Sequence, residues 1–148
     1  MTPPIPSKAA IELFAAFSRF EFALKEGGYA MADRWSGAAA NWSAFGRVPA
    51  VEKAFEAIRA APQLEILLVD PPRKQVVVGG RLEWGDAPTV TDAASLLAAL
   101  RRVRNNLFHG GKSGADPRDD ELCTATVFAL LALVKADVQV QAAFEGRY

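Results

Sequence analysis

The sequence has few of the residues that build metal, disulfide and triad sites. Its 148 residues include one cysteine and one histidine, and they contain neither an HExxH pattern nor a Walker-type phosphate loop. Cys123 has no second cysteine to pair with and lies in an apolar helical pattern, so we expect it in the core of a protein from a reducing compartment. The sequence therefore predicts no metal, no cofactor and no serine or cysteine triad.

Long apolar runs and an excess of one charge are also missing. The longest nearly unbroken apolar run covers residues 127–134, far below the roughly 20 residues of a membrane-spanning helix. The first residues lack the basic start and continuous apolar stretch of a signal peptide, which predicts a cytoplasmic protein without a membrane partner. Lysine plus arginine equals aspartate plus glutamate at 17 each, so any site for a polyanion has to be local.

What the chain does contain favours helices. Hydrophobic residues make up 51% of the sequence, with alanine and leucine abundant and few β-branched runs. The length fits one domain spanning residues 1–148 with a single core. We predict an all-α fold, an up-and-down bundle of four to five helices, which allows for a small extended or hairpin insertion around residues 64–84.

Capping and breaking residues set the expected helix boundaries. Ser7 can cap a first helix that ends at residues 27–28, both glycine. Pro49 suits the first turn of a helix through residue 60. Residues 91–92 start a central helix, and residues 116–117, Asp-Pro, are a cap and first-turn pair for the last long helix.

The segments between these helices give a mixed signal. A short helix is expected near residues 38–45, where the aromatic residues are interpreted as packing anchors rather than a base-stacking platform. Residues 64–69 fit either a helical turn or a short strand, since short apolar runs do not decide between the two. Residues 75–78, followed by a glycine pair, indicate extended backbone.

The most informative stretch is residues 101–112, at the end of the predicted central helix. On a helical wheel with about 100° per residue, an apolar stripe about 60° wide faces a core; it consists of Leu96, Leu100, Val103 and Leu107. The opposite side carries Arg101, Arg102, Asn105 and His109. Arg104 lies at the border, where its stem can stay in apolar contact and its guanidinium outside.

The same stretch concentrates positive charge. Five basic residues lie between residues 101 and 118, namely Arg101, Arg102, Arg104, Lys112 and Arg118, against the single acidic Asp116. In a chain without net charge, this surplus marks the one place where phosphate groups would be attracted.

Arg104, the polar Asn105 directly after it, three further residues and then His109 form a pattern that resembles the motif of the HEPN superfamily. These are small all-helical proteins that include many metal-independent ribonucleases, and many members carry a glycine after the histidine, as Gly110 does here. In that family the motif ends the penultimate helix, and two subunits bring their motifs together. Residues 19–25 are similar to the first helices of stand-alone bacterial members.

The resemblance implies an endoribonuclease that acts as a homodimer with a composite active site. It also implies a toxin or phage-defence setting, in which an antitoxin protein would be a partner. One subgroup of toxins is controlled by adenylylation of a tyrosine two residues after the histidine. The corresponding residue here is Gly111, so that mode of control is not expected.

The chemistry can be argued from the residues themselves. RNA carries its own nucleophile, the 2′-hydroxyl, so cleavage needs a base, an acid and positive charge on the phosphorane. Imidazole can be base or acid at neutral pH, and a symmetric dimer would supply one His109 for each role. Arg104 would hold the phosphate oxygens, and Asn105 would orient the imidazole or bind the phosphate. A 2′,3′-cyclic phosphate and a 5′-hydroxyl are the expected products.

Further residues are predicted to bind the substrate, RNA: Arg101, Arg102, Lys112 and Glu21. Glu21 is either half of a solvated pair with Lys25, four residues further on, or a group that orients a basic residue of the site from a neighbouring helix. His109 could also be a surface residue stabilised by the helix end. Two alternative functions remain open, a catalytically inactive HEPN module that binds a nucleotide or a regulatory protein, and a helical adaptor whose Trp35, Trp42 and Trp84 face a partner.

Overall fold

The computed structural model of the chain describes residues 5–108 and 116–147. These residues contain seven α-helices: α1 (Lys8–Glu26), α2 (Trp42–Gly46), α3 (Pro49–Ile58), α4 (Glu65–Val69), α5 (Ala93–Phe108), α6 (Pro117–Leu133) and α7 (Val138–Phe144). Two antiparallel hairpins join β1 (Ala30–Ala32) to β2 (Ala38–Ala40) and β3 (Gln75–Val78) to β4 (Arg81–Trp84). The prediction of a mostly helical protein is confirmed. The arrangement of four to five helices is not, because several short helices and a second hairpin are added to the long ones.

The first helix begins and ends where its capping residues predict. The hydroxyl of Ser7 accepts a hydrogen bond from the N–H of Ala10 at 3.1 Å, and the N–H of Gly27 donates to the carbonyl of Ala23 at 2.8 Å. The buried side of α1 packs against α6 and α7. Arg19 adds two hydrogen bonds to the carbonyl oxygen of Phe144, at 3.0 and 2.7 Å. These contacts therefore join α1 to α7.

The predicted central helix is present as α5. At its start, the carboxylate of Asp92 accepts a hydrogen bond from the N–H of Ser95 at 2.8 Å, which is the geometry of an N-cap. The apolar stripe faces the core as expected, with Leu96, Leu100 and Val103 buried. The predicted end at residues 110–111 lies outside the described residues.

The next helix, α6, also begins as predicted. Asp116 accepts a hydrogen bond from the N–H of Arg118 at 2.9 Å, and Pro117 occupies the first turn. Cys123 is fully buried in this helix, which confirms its assignment to the core. Among the described residues, no helix combines the length and the apolar character that crossing a bilayer requires.

The prediction of one short helix over residues 38–45 is wrong in its first half. Residues 38–40 form β2, and α2 begins only at Trp42, because Asn41 caps it by accepting a hydrogen bond from the N–H of Ala44 at 3.0 Å. Trp42 and Phe45 are buried and pack on Phe20, which confirms them as packing anchors. Trp42 therefore does not face a partner, as the adaptor alternative expected, whereas Trp35 and Trp84 are exposed.

Residues 64–69, which fit either a helical turn or a short strand in the sequence, are helical. Residues Pro62–Leu64 form a 3₁₀ turn that leads directly into α4. The extended backbone expected after it is confirmed as β3, which pairs with β4 through Val77 opposite Leu82. Gly79 and Gly80 both have positive φ, at +57° and +77°, which suits the tight turn of such a hairpin.

Candidate functional site

The predicted site residues that the structure describes lie on two neighbouring helices, α1 and α5. We call their shared surface the α5 basic face, defined by Arg101, Arg102, Arg104, Asn105 and Glu21. Arg101 and Asn105 are exposed, and the other three are partly buried. The helical spacing of α5 therefore presents its polar residues as the wheel indicated.

Arg104 is held against α1 by two contacts. Its Nη2 atom lies 3.7 Å from Oε1 of Glu21, and its guanidinium carbon lies 4.8 Å from the ring centre of the buried Phe17. The ring face and the carboxylate are both attractive to a cation. Of the two interpretations of Glu21, the structure shows the one in which it contacts a basic residue of the neighbouring helix.

The Nε atom of Arg104 is buried and finds no hydrogen-bond partner within the described part of the chain. A buried donor without a partner costs free energy, of the order of 1–3 kcal/mol. The side chain as a whole keeps 30% of its surface exposed, and Glu21 keeps 33%. The inner edge of the guanidinium is thus fixed on Phe17 and Glu21, while part of the group remains accessible from solvent.

Arg101 lies one turn before Arg104, with its guanidinium carbon 5.6 Å from the ring centre of Trp42. Desolvation lowers the pKa of Arg101, the positive charge of Arg104 lowers it further, and Glu21 opposes both effects. Desolvation also lowers the pKa of Arg102, with Asp86 opposing it. These groups stay charged at neutral pH because arginine titrates far above it. The repulsion between Arg101 and Arg104 is unfavourable, and a bound anion would relieve it.

A groove of about 470 Å³ opens beside the α5 basic face. It is lined by Lys74, Gln75, Ala98, Arg101, Arg102, Asn105 and Asn106. Three cationic and three amide side chains thus surround it, with no acid among these lining residues. Proteins contact phosphate oxygens with these kinds of groups. The structure brings Arg101, Arg102 and Asn105 together here, and we call this cavity the basic groove.

Lys74 and Gln75 were missed by sequence reasoning. They come from the start of the β3–β4 hairpin, about 30 residues before the motif in the sequence. The hairpin is attached to α5 by Asn106, whose side-chain amide donates to the carbonyl of Arg73 at 2.9 Å. The one signal in the sequence for this contribution is Lys74, a basic residue between two predicted elements.

Two predicted site residues, His109 and Lys112, lie outside the described residues. In the sequence His109 directly follows Phe108, the last residue of α5. The ring of Phe108 meets that of Phe14 from α1 edge-on, with 6.4 Å between their centres. The contact between α1 and α5 therefore extends to Phe108.

The described residues contain no group of three or more histidine, cysteine, aspartate or glutamate side chains that could hold a metal ion. Comparisons of the chain with protein-family models, with curated proteins and with solved structures returned no match.

Proposed function

We propose that this chain is a metal-independent endoribonuclease of the HEPN type, cytoplasmic and homodimeric, with the long helices forming the up-and-down bundle of that family. Its setting would be a toxin or phage-defence system, with an antitoxin protein as inhibitor. The observation that carries the proposal is the placement of Arg104. Glu21 and Phe17 hold it on a basic, amide-rich face, directly before Asn105 and five residues before the only histidine.

The proposed reaction needs no group beyond the two protomers and RNA. The 2′-oxygen attacks the adjacent phosphorus while His109 of one protomer takes its proton. The bond from phosphorus to the 5′-oxygen breaks, and the other protomer's copy of this histidine gives a proton to the leaving oxygen. Arg104 stabilises the charge on the remaining phosphorane oxygens. Asn105 orients the imidazole or binds the phosphate.

The basic groove supports a path for the RNA backbone. Phosphate contacts supply most of the affinity of such complexes and make it dependent on salt. Lys74, Arg101 and Arg102 line the groove, so a strand leaving Arg104 could keep its neighbouring phosphates in contact with the protein.

Exposed apolar side chains on α1 and α5, the helices that carry the α5 basic face, support the homodimer. Ile11 and Phe22 on α1 and Phe108 at the end of α5 are exposed. Association would remove these apolar side chains from water, which is favourable. A twofold axis close to these residues would bring two motifs to one crevice.

The test is incubation of single-stranded RNA with the full chain in EDTA, together with a measurement of its mass in solution. We expect a dimer and products that end in a 2′,3′-cyclic phosphate, with no cleavage of DNA. His109→Ala should reduce the rate by 10²–10⁴-fold, the usual contribution of a general acid or base. Arg34→Ala, a change at an arginine outside the α5 basic face, is the control and should cleave normally. Cleavage that survives His109→Ala, or a strict monomer, would remove the proposed mechanism.

One observation favours a second function, the inactive HEPN module that binds a nucleotide or a regulatory protein. Arg104 is already engaged by Glu21 and by the ring of Phe17, an arrangement that also fits a purely structural arginine. This function predicts that RNA stays intact. It also predicts that a nucleotide raises the melting temperature, because a ligand that binds only the folded chain stabilises it.

A further inference from the structure

The β3–β4 hairpin carries two strongly exposed apolar side chains. Val77 and Leu82 lie directly opposite each other on its two strands, and they are 71% and 62% exposed. Residues directly opposite in an antiparallel pair have their side chains on the same face. A hairpin of two strands is marginally stable by itself in water, and a further strand stabilises an apolar face. The hairpin is therefore a surface suited to pairing with another strand.

The strand β4 forms the more open edge of this hairpin. All four of its residues are exposed, whereas two of the four residues of β3 are partly buried. An edge strand offers its outward backbone groups to a strand of another chain. However, β4 is short and carries two charged residues, features that keep edge strands from pairing indiscriminately. A partner of β4 must therefore match these charges.

The hydrogen bonds of the hairpin determine which residue of β4 directs its backbone groups outward. The N–H of Gly85, directly after β4, donates to the carbonyl of Lys74 at 2.7 Å, so it points toward the β3 side. Backbone groups alternate in direction along a strand, which means that those of Glu83 and Arg81 also point toward β3. The N–H and C=O of Leu82 therefore point away from β3.

We propose that β4 pairs with β4 of a second copy of this chain, antiparallel and centred on Leu82. In that register Leu82 lies opposite its own copy, and the Arg81 of each chain lies opposite the Glu83 of the other. The two Leu82 residues exchange a pair of backbone hydrogen bonds, since each directs its N–H and C=O outward. The result is a sheet of four strands around a twofold axis.

The charges of β4 are complementary to themselves in this register. Arg81 and Glu83 are both exposed, and their side chains lie on the face opposite to that of Leu82, because side chains alternate along a strand. Opposite charges directly across a strand pair are favourable, and like charges are unfavourable. Antiparallel pairing joins an arginine to a glutamate in both contacts, whereas parallel pairing in register would place like charges together. The charges therefore favour a second copy in the antiparallel direction.

The same register extends the apolar face of the hairpin. The two Leu82 side chains and the two Val77 side chains form one row across the four strands, because Val77 and Leu82 are already opposite each other within each hairpin. Part of their exposed surface is then removed from water, which is favourable. A contact through one short strand is smaller than the interface of a stable complex, so we expect the association to be weak and reversible.

This contact is separate from the one proposed for α1 and α5, and it does not depend on the nuclease. If both contacts form, pairing of β4 links dimers into larger assemblies. If only β4 pairs, the chain is a dimer through its hairpin. The experiment therefore has to identify the surface as well as the mass.

The test measures the mass of the full chain by sedimentation equilibrium, at concentrations from micromolar to millimolar, and compares charge variants of β4. Arg81→Glu gives each strand two acids and Glu83→Arg gives each strand two bases, so both cross-strand contacts become repulsive. Each change should raise the dissociation constant of this contact by about tenfold or more. An equimolar mixture of the two variants should associate again, because every acid then lies opposite a base. Combining both changes in one chain should restore association for the same reason.

Matched controls reverse exposed charges away from β4. Arg34→Glu changes the turn of the other hairpin, and Glu26→Arg changes the end of α1. Neither should alter the mass. Leu82→Lys places like charges at the twofold axis and should weaken association, whereas Val69→Lys, at a residue that is 74% exposed on α4, should not.

A thiol cross-link gives a second measurement. In the proposed register the two copies of residue 82 have their Cα atoms about 5.5 Å apart, so a short cross-linker should join two Leu82→Cys chains. The original chain should not react, because its Cys123 is buried, and Val69→Cys is the control for chance encounters. Cross-linking at residue 82 together with association of the charge-variant mixture would confirm the contact.

Three results would overturn the β4 contact: a mass that does not rise with concentration, association that the charge variants leave unchanged, or equal cross-linking of Leu82→Cys and Val69→Cys. Cleavage of RNA is measured on the same variants. Cleavage without β4 pairing leaves the nuclease standing, and β4 pairing in a chain that leaves RNA intact overturns the nuclease alone.

Discussion

Glu21→Gln is the change that best tests how the α5 basic face is organised. Two unit charges 3.7 Å apart attract each other by about 1 kcal/mol in water and by about 4 kcal/mol at an effective dielectric constant of 20. Because about one third of each side chain is exposed, solvent screening reduces the net contribution to about 1 kcal/mol or less. We expect Glu21→Gln to lower the free energy of unfolding, measured in urea, by that amount.

The chain offers a matched control for this measurement. Lys8 and Glu12, also on α1, form an ion pair at the similar distance of 3.9 Å, but their side chains are 91% and 59% exposed. Glu12→Gln should therefore leave the free energy of unfolding unchanged. A double-mutant cycle of Glu21→Gln with Arg104→Met isolates the energy of the pair itself.

The same variant should separate RNA binding from RNA cleavage. Removing a negative charge from a basic face strengthens its attraction for phosphate, by about threefold for a charge roughly 7 Å away in water. Losing the carboxylate that positions Arg104 should nevertheless slow cleavage by about 10- to 100-fold, since small misplacements of a catalytic group have effects of that size. Affinity is measured with 2′-O-methyl RNA, and the rate in single-turnover cleavage.

Two results would refute this reasoning. If Glu21→Gln and Glu12→Gln have the same stability, the contact to Arg104 contributes nothing to the fold. If Glu21→Gln cleaves at the normal rate, Arg104 does not depend on Glu21 for its position.

Three further predictions concern the framework around the site. Asp92→Ala should destabilise the chain by about 1 kcal/mol at neutral pH through loss of the α5 cap. Hydrogen bonds from Ser95 lower the pKa of Asp92, so the stability difference between the variant and the original chain should shrink as acid protonates the folded carboxylate below about pH 4. Burial, and then the charge of Asp137, raises the pKa of Tyr29. The stability that the neutral phenol contributes below its ordinary pKa near 10 is therefore lost as the pH rises further. Tyr29→Phe should remove that loss at alkaline pH and should cost about 0.5–1 kcal/mol at pH 7. Gly27→Ala would place a Cβ 2.7 Å from a side chain of α7 and should cost about 1–3 kcal/mol in urea unfolding, since overpacking has that effect.

The sequence was most informative where a local rule determines the structure. Ser7, Asp116 and the glycine pair at residues 79–80 act through their own backbone neighbours, and the elements that they delimit are present as predicted. The outward face of α5 followed from helical periodicity in the same way. Each of these predictions needed only the spacing of residues along one element.

The hairpin β1–β2 was missed because its strands are mostly alanine, which has little preference for extended backbone. It is set by the turn instead, where the carboxylate of Asp33 accepts hydrogen bonds from the N–H groups of Trp35 and Gly37, both at 2.8 Å. Helix α7 was missed for a similar reason. It is short, and its start depends on Asp137 accepting hydrogen bonds from two N–H groups at 2.9 and 3.0 Å.

Of the residues that line the basic groove, the sequence predicted only those that lie on α5. Arg101, Arg102 and Asn105 share one face by periodicity, whereas Lys74 and Gln75 reach the same groove through tertiary packing of a hairpin that begins about 30 residues before Asn105. The contact of Glu21 was predicted only in part. Its spacing allowed a contact within α1 or across to another helix, and only the packing of α1 beside α5 decides between them.

The hydrogen bonds from Arg19 to Phe144, and the packing of α1 on α7, have a consequence for how the chain folds. During synthesis, the part of the apolar side of α1 that packs against α7 stays uncovered until more than a hundred further residues have been made. Contacts between such distant parts of a chain slow folding, and apolar surface left uncovered in the meantime invites aggregation. Newly made chains should therefore depend on chaperones until α7 emerges, and variants that weaken α7 should be lost during synthesis more readily than their equilibrium stability suggests.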